Sequence, residues 1–183
     1  MKNALALLAI LLAACTPEAE QHAHARRFGS APTPILPSQD RDFLEHAAEG
    51  SNAEIAIGKL VRSRAMRPEV KAYGERMVTD HTAINQRLAV LAKKRRIELP
   101  TSLGEHQLSY DRVVDLRYDR FDEEFIQVML EDHHMAAELF RMQASGGADP
   151  ELRAFAAQTL PLILAHLDHA RSLATGPKPA PAQ

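Results

Sequence analysis

The chain has 183 residues, which is the length of one ordinary domain with additional segments at its ends. Its apolar fraction of 45% and its charged fraction of 25% are typical of a globular protein. Its formal net charge of −2 offers no basic surface, so no nucleic-acid partner is expected. The single cysteine, Cys15, excludes an internal disulfide.

The N-terminal residues have the pattern of a bacterial lipoprotein signal. An unbroken small and apolar run from Ala4 to Ala14 is too short to span a bilayer and suits a signal-peptide core. The run ends in Leu12-Ala13-Ala14-Cys15, which resembles a lipobox and implies removal of residues 1–14 and lipid on Cys15. Thr16 is not the aspartate that retains such proteins in the inner membrane. The expected location is therefore the cell envelope, at the outer membrane facing the periplasm, with the membrane as partner through the lipid. An ordinary signal peptide with a chance cysteine is the alternative.

Composition divides the rest of the chain into a tether, a helical domain and a tail. Residues 15–37 carry scattered prolines and no apolar period, which predicts a flexible tether behind the lipidated cysteine. His22 and His24 lie in this tether. Residues 38–175 form the predicted domain, and residues 176–183 are a proline-rich tail expected to be disordered.

Apolar residues at steps of three and four predict four long helices and no strand. The predicted helices lie near residues 38–66, 68–97, 120–145 and 150–174. Ser38 and Asp149 are candidate N-caps, and the prolines at positions 68 and 150 suit a first helical turn. Residues 98–120 are long enough to run the length of a helix, as a crossover does. The sequence thus predicts an all-α, ferritin-like four-helix bundle with a long crossover between helices 2 and 3.

Each predicted helix carries one polar residue on its apolar stripe: Glu54, His81, His133 and His166. All four fall near the middle of their helices, so they should lie at one level of the bundle whether neighbours run parallel or antiparallel. Three imidazoles and a carboxylate suit zinc, iron, manganese or copper. A buried network that satisfies itself without metal, or half-buried histidines, are the alternatives.

Other residues near these four could assist the site or replace one of its members. Asp80 and Asp132 lie about 100° around the helix from their neighbouring histidines and are candidate acceptors behind the ligands. Met77 and Met129 precede the histidines by one turn and could offer sulfur to copper(I), although such methionines commonly fill a core. His169 could replace His166, because Pro161 can alter the rotation of the helix after it.

The sequence does not indicate a reaction. The dinuclear carboxylate signature needs Glu-x-x-His on two helices, and only the pair Glu131 and His134 has that spacing. There is also no nucleophile motif and no Gly-rich phosphate loop. The sequence therefore favours a protein that is not an enzyme.

Several runs resemble the bacterial family known as domain of unknown function 4142, and together they extend over residues 38–175. These runs are Asp42-Phe43-Leu44, Ala53-Glu54-Ile55-Ala56-Ile57-Gly58, Met77-Val78-Thr79-Asp80-His81, Asp132-His133 with Phe140, and Leu160-Pro161 to His166-Leu167. The resemblance implies a ferritin-like fold and an outer-membrane location, but no reaction. The pair His133-His134 is also similar, locally, to domain of unknown function 305, a ferritin-like envelope family linked to metal handling.

Two hypotheses of function follow from the sequence. The favoured one is a non-enzymatic envelope lipoprotein with a binding or stress-tolerance role. The other is a metal-binding or redox protein that uses the His/Glu site in the bundle core. The physiological partner, the metal and the oligomeric state are left open.

Overall fold

The computed structural model describes residues 36–176, and this part of the chain is all-helical, without a strand. Its helices are α1 (Ser38–Arg64), α2 (Pro68–Lys94), α3 (Gln107–Val113), α4 (Tyr118–Gly146) and α5 (Pro150–Thr175). A 3-10 turn at Gly104–His106 precedes α3. The four long helices agree with the predicted ranges to within a turn, which confirms the all-helical prediction. The expected signal peptide at residues 1–14, the lipidated Cys15, nearly all of the tether and residues 177–183 lie outside the described residues.

Contacts at the helix ends show that α4 runs antiparallel to α1. Near the start of α4, the carboxylate of Asp122 accepts hydrogen bonds from the backbone N–H groups of Met66 and Arg67, just beyond the end of α1. Near the end of α4, Gln143 Nε2 donates to Asp40 Oδ1 in the first turn of α1, at 2.6 Å. The two helices therefore lie side by side with opposite directions.

The same reasoning places α5 antiparallel to α2. Arg95, at the end of α2, pairs with Asp149, at the start of α5, with 2.5 Å between Nη2 and Oδ1. Arg67, just before α2, donates from Nη1 to the carbonyl of Leu173 near the end of α5, at 3.3 Å. Since α1 and α2 form one helical hairpin and α4 and α5 another, each long helix is antiparallel to both of its neighbours.

The connection between α2 and α4 runs along α1. Asn52 Nδ2, near the middle of α1, donates to the carbonyls of Pro100 and Ser102 at 3.1 Å each. Arg64 Nη1, at the end of α1, donates to the carbonyl of Leu116 at 3.4 Å. The segment therefore travels lengthwise over the bundle and returns the chain to the end where α4 begins, as a crossover requires.

The apolar interior consists of two clusters of buried residues. One cluster gathers around the junction of α1 and α2 and includes Val61, Tyr73, Phe121, Phe125 and Leu173. The other gathers around the opposite end and includes Phe43, Leu88, Phe140, Leu152 and Phe155. Neither cluster contains the four polar stripe residues, which occupy the level between them and are all buried.

Two glycines let α1 and α2 approach closely. A Cβ at Gly58 would lie 2.8 Å from the carbonyl oxygen of Gly74, and a Cβ at Gly74 would lie 2.4 Å from Cγ1 of Val61. Only hydrogen fits in these spaces, so the helix pair packs backbone against backbone at this point. This close packing fixes the height of α2 relative to α1, and so the level of His81 relative to Glu54.

The helix starts agree with the sequence in one case and differ in another. Asp149 caps α5 as predicted, because its Oδ1 accepts from the backbone N–H groups of Glu151 and Leu152 at 2.9 and 3.1 Å. Ser38 was predicted to cap α1 but is instead its first helical residue. Pro37 takes the N-cap position and makes no side-chain hydrogen bond, because its ring carries no polar side-chain atom.

Within residues 36–176, none of the helices combines the length and apolar character needed to cross a membrane.

We predict that Asp122→Ala lowers the free energy of unfolding by roughly 1–3 kcal/mol, because two backbone N–H groups at the α1–α2 junction lose their acceptor. Urea unfolding followed by circular dichroism measures this change. Asp119→Ala, an exposed carboxylate in the same turn, is the matched control and should change stability by less than about 0.5 kcal/mol. Equal losses in the two variants would show that Asp122 does not tie the junction to α4.

Candidate metal centre

Three histidines from three helices meet at the centre of the bundle. His81 of α2, His133 of α4 and His166 of α5 are 4%, 0% and 1% exposed. Their ring centroids lie 5.6 Å (His81 to His133), 5.5 Å (His81 to His166) and 5.3 Å (His133 to His166) apart. Each ring offers one nitrogen that lies within 4.8 Å of the nitrogens offered by the other two. We call these three residues the histidine triad.

The protein fixes the proton position on two of the rings. His133 Nδ1 lies 2.9 Å from the carbonyl oxygen of Met129, one turn earlier in α4. His166 Nε2 lies 2.8 Å from Oδ2 of Asp80 on α2. Both oxygens only accept hydrogen bonds, so these two nitrogens must carry the proton in the neutral rings. The lone pair is then left on His133 Nε2 and on His166 Nδ1.

The remaining nitrogen of every triad ring is buried without a hydrogen-bond partner. His81 Nδ1 lies 3.3 Å from Oγ of Ser51, while His81 Nε2 has no partner. His133 Nε2 and His166 Nδ1 are likewise buried and unpaired. A buried nitrogen that gives up water and gains no bond costs about 1–3 kcal/mol. Three of them at one point require an explanation.

This donor set fits a transition metal ion. Metal-binding histidines commonly donate their second ring N–H to a carboxylate or a backbone carbonyl, as His166 does to Asp80 and His133 to Met129. Nitrogen ligands at about 2.0–2.1 Å from a tetrahedral ion lie about 3.4 Å apart. The triad nitrogens lie within 4.8 Å of one another, so the rings would move closer together to bind an ion.

Burial keeps the triad neutral, which is the form that binds metal. It lowers the pKa of His81 well below the usual value, and the neighbouring His133 and His166 lower it further. The pKa of His133 falls to about 4, again mainly through burial. Burial also lowers the pKa of His166, although the hydrogen bond to Asp80 opposes this change. At neutral pH each ring thus keeps a lone pair for a ligand.

Glu54 lies beside the triad but not within it. Its Oε1 is 3.6 Å from His133 Nδ1, the nitrogen that faces Met129, and its Oε2 is buried without a partner. Burial, followed by repulsion from Asp132, raises the pKa of Glu54 well above its usual value. Among the described residues, Glu54 is not part of the group whose ligand atoms approach one another. Of the four predicted ligands, the structure therefore gathers the three histidines and places the carboxyl behind one of them.

The two predicted acceptors occupy different positions. Asp80 contacts the triad, although its partner is His166 of α5 rather than the adjacent His81. Asp132 makes no hydrogen bond to the triad. Its Oδ1 accepts from Ser109 Oγ at 3.0 Å and lies 3.4 Å from Nδ1 of His106. The interaction of its ring with the Asp132 carboxylate raises the pKa of His106.

The remaining sequence candidates lie away from the centre. His169 does not replace His166, because its ring packs against Tyr73 with 4.7 Å between centroids. Met77 and Met129 are buried in the apolar cluster near the α1–α2 junction, as core methionines are. Their side chains fill space in this cluster. Met129 contributes to the site only through its backbone carbonyl, which accepts the hydrogen bond from His133 Nδ1.

Three contributing residues were not singled out from the sequence. Ser51 precedes Glu54 by three residues on the same face of α1, so helical periodicity could have identified it. His106 and Ser109 lie in the crossover, where no periodic pattern places a side chain. Their positions depend on how the crossover packs over α1 and α4.

A cavity of about 250 Å³ connects the protein surface with the triad. Exposed or half-buried residues line its outer part: His46, Gly50, Glu105, His106, Ser109 and Met135. Its inner wall includes Ser51, Glu54, His81, Asp132 and His133. Two triad members, His81 and His133, therefore line a cavity that opens to solvent. His166 does not line it.

The pKa of His133 makes the metal-free protein acid-sensitive in a defined window. The folded protein holds this ring neutral down to a pKa of about 4, whereas the unfolded chain takes up the proton near the usual 6.5. The unfolded state thus binds more protons between these values, and stability is lost as pH falls through this window.

We predict that wild type loses more stability than His133→Gln between pH 7.5 and 4.5, by on the order of 2 kcal/mol. Urea unfolding of the metal-free proteins at the two pH values gives this difference. His134→Gln, at the adjacent exposed histidine, is the control and should keep the wild-type pH dependence. If His133→Gln keeps it as well, burial does not depress the pKa of this ring.

Comparison with known proteins gives a family and two similar structures. Residues 25–173 match the domain of unknown function DUF4142. No sequence among curated proteins matches the chain significantly. CopM in the Cu(II)-bound form is similar at 17% identity and a TM-score of 0.64, over 74% of this chain and 95% of that one.

A conserved hypothetical protein, rv2844, from Mycobacterium tuberculosis is also 17% identical, with a TM-score of 0.61 over 80% of this chain and 98% of that one. At this identity the two likenesses concern the fold and agree with a helical bundle. The family match covers most of the chain, all four long helices included. The chain therefore belongs to the DUF4142 family.

Proposed function

We propose that this protein binds a transition metal ion through His81, His133 and His166. The observation that carries the proposal is the set of three buried imidazole nitrogens without partners, one on each triad ring. A metal ion is the ligand that three neutral imidazoles at one point suit best. The proposed role is metal binding.

The contacts of the triad weigh against a self-satisfied polar network. In such a network the rings would bond to one another or to nearby carboxyls through both nitrogens. Here each ring uses one nitrogen, and Glu54 also leaves one oxygen unpaired. Leaving four buried atoms unpaired is costly unless a ligand completes them. The four unpaired atoms therefore favour metal binding over the general binding or stress-tolerance role that the sequence alone favours.

Copper(II) is the metal we favour. Imidazole suits zinc, copper, iron and nickel, and among divalent ions of the first row copper(II) binds nitrogen sites most tightly. The structurally similar CopM is described in a Cu(II)-bound form, which supports the choice for this chain. We further propose that residues 38–175 are a ferritin-like four-helix bundle, a fold that builds metal sites in its core from facing helices.

The proposed place of action is the bacterial envelope. Cleavage before Cys15 and lipidation of its thiol would tether the domain to the outer membrane on the periplasmic side. Residues 15–37 would lie between this lipid and the helical domain. A metal-binding bundle anchored in this way suits the capture of copper in the periplasm, and this role remains compatible with stress tolerance.

The test of metal binding uses the full-length protein purified without a His tag. His22→Ala and His24→Ala are included in every variant, so that the tether histidines cannot bind copper. We predict one copper(II) per chain by elemental analysis. We also predict that the affinity falls by at least about a hundredfold in His81→Gln, His133→Gln and His166→Gln, because each removes one of three ligands.

The chain offers a matched control for two of these variants. His134→Gln and His169→Gln change histidines on the same helices that lie outside the triad, and they should bind copper as the parent does. If the parent binds zinc and not copper(II), the site is retained and the choice of metal is wrong. If it binds neither metal, or if the control variants lose copper equally, the proposed function is wrong.

The anchor proposal has a separate test. Cys15→Ser should abolish lipid attachment, because the thiol that carries the diacylglycerol is absent, and should leave the protein unprocessed or soluble. Labelling with a radioactive fatty acid, followed by membrane fractionation, measures both effects. Labelled Cys15→Ser protein, or a processed variant that still fractionates with membranes, would contradict the lipobox interpretation.

A further inference from the structure

We propose that the cavity beside α1 and α4 is the loading path of the triad, and that His106 and Asp132 are the first internal ligands that a divalent transition metal ion meets there. This inference rests on the proposed metal-binding function and adds to it a route and a second, transient binding point.

The cavity passes from exposed to buried ligands. At its mouth, the side chain of His46 is 55% exposed. Further in, the side chain of His106 is 18% exposed and that of Asp132 only 3%. At its inner end are His81 and His133 of the triad. An ion that enters from solvent can therefore exchange its waters for protein ligands one after another.

His106 and Asp132 form the narrow part of this series. The imidazole belongs to the 3-10 turn of the crossover, and it reaches over α1 where Gly50 leaves room. A Cβ at Gly50 would lie 3.3 Å from His106 Nε2. Asp132 Oδ1 bonds to Ser109 and lies 3.4 Å from His106 Nδ1, whereas Asp132 Oδ2 is buried without a partner. An unpaired carboxylate oxygen beside an imidazole is a pair that a divalent ion would bind.

Glu54 continues the series towards the centre. It lines the same cavity, its Oε2 is buried and unpaired, and its Oε1 lies 3.6 Å from Nδ1 of His133. The carboxyl is therefore positioned between Asp132 and the triad. Buried oxygen and nitrogen atoms without a partner are therefore present at Asp132, at Glu54 and in the triad.

The charge of the wall favours cations. Among the described residues that line the cavity, Glu105 and Asp132 are acidic and none is lysine or arginine, whereas the raised pKa of the third carboxyl, Glu54, favours its neutral form. A cleft with walls of one sign concentrates ions of the opposite sign and speeds their association. An acidic wall of this kind would attract a cation to the cavity.

His106 and Asp132 are suited to transient rather than permanent binding of the metal ion. Within residues 36–176, only the triad brings three ligand atoms within 4.8 Å of one another. His106, Asp132 and Glu54 do not meet this spacing as a set of three, so an ion held by one or two of them keeps most of its waters. It would leave for the triad, where three neutral imidazoles are already close together.

The experiment distinguishes a residue that lies on the loading path from a residue that binds the metal in its final site. A residue on the path changes the rates of loading and release by the same factor and leaves the affinity unchanged. A residue of the final site changes the affinity. Copper(II) is supplied on nitrilotriacetate to the full-length, metal-free protein in the His22→Ala, His24→Ala background. Stopped-flow absorbance gives the loading rate, transfer to excess chelator gives the release rate, and equilibrium competition gives the affinity.

We expect His106→Gln and Asp132→Asn to slow both loading and release by about tenfold, with affinities within about threefold of the parent. His134→Gln and Glu131→Gln, which change a histidine and a carboxylate outside the cavity, should keep the parent rates. His106 is half-buried on an outer turn, so His106→Gln keeps the test valid if Asp132→Asn does not fold.

Normal rates in His106→Gln, with copper bound, would overturn the path and leave the proposed function intact. A loss of affinity equal to the loss of loading rate would also overturn it, because His106 would then hold the bound ion. Absence of copper binding in the parent protein would instead overturn the proposed function itself.

Discussion

The central constraint on this structure is a layer of buried imidazoles that cannot satisfy one another. His81, His133 and His166 meet where apolar side chains would otherwise close the core, and each ring leaves one nitrogen unpaired. In a medium of low polarity such groups cost stability, unlike the leucines or valines that could take their places. The three polar rings therefore lie in the part of the core where burying them lowers the stability of the fold most. A ligand for those nitrogens is the simplest reason.

The rest of the fold keeps these rings in register. Apolar clusters above and below the layer hold the helices together, and the close contact of Gly58 with Gly74 sets the height of α2 against α1. Asp122 joins α4 to the α1–α2 junction, and Asp149 with Arg95 joins α5 to the end of α2. Loss of any of these contacts between helices would shift one histidine along the bundle axis. The helical packing and the candidate metal site thus depend on the same contacts.

Much of this arrangement could be predicted from the sequence, because helical periodicity carries both phase and height. Those two quantities placed His81, His133 and His166 on inward faces at one level. Periodicity could not show that Asp80 turns towards His166 on another helix, or that Glu54 lies behind His133 instead of beside all three rings. Those details depend on the rotation of neighbouring helices. His106 was beyond prediction, because the crossover has no repeating pattern and its path over α1 is set by tertiary contacts such as those of Asn52.

X-ray absorption spectroscopy of the metal-loaded protein tests the central claim most directly, because it reports the ligands of the bound ion. With the tether histidines replaced and one copper(II) per chain, the account predicts three imidazole nitrogens at about 2.0 Å, with the outer-ring scattering that identifies histidine. Three imidazoles in the parent and two in His133→Gln would locate the ion at the triad. A spectrum with only oxygen neighbours, or one unchanged by His133→Gln, would contradict the account.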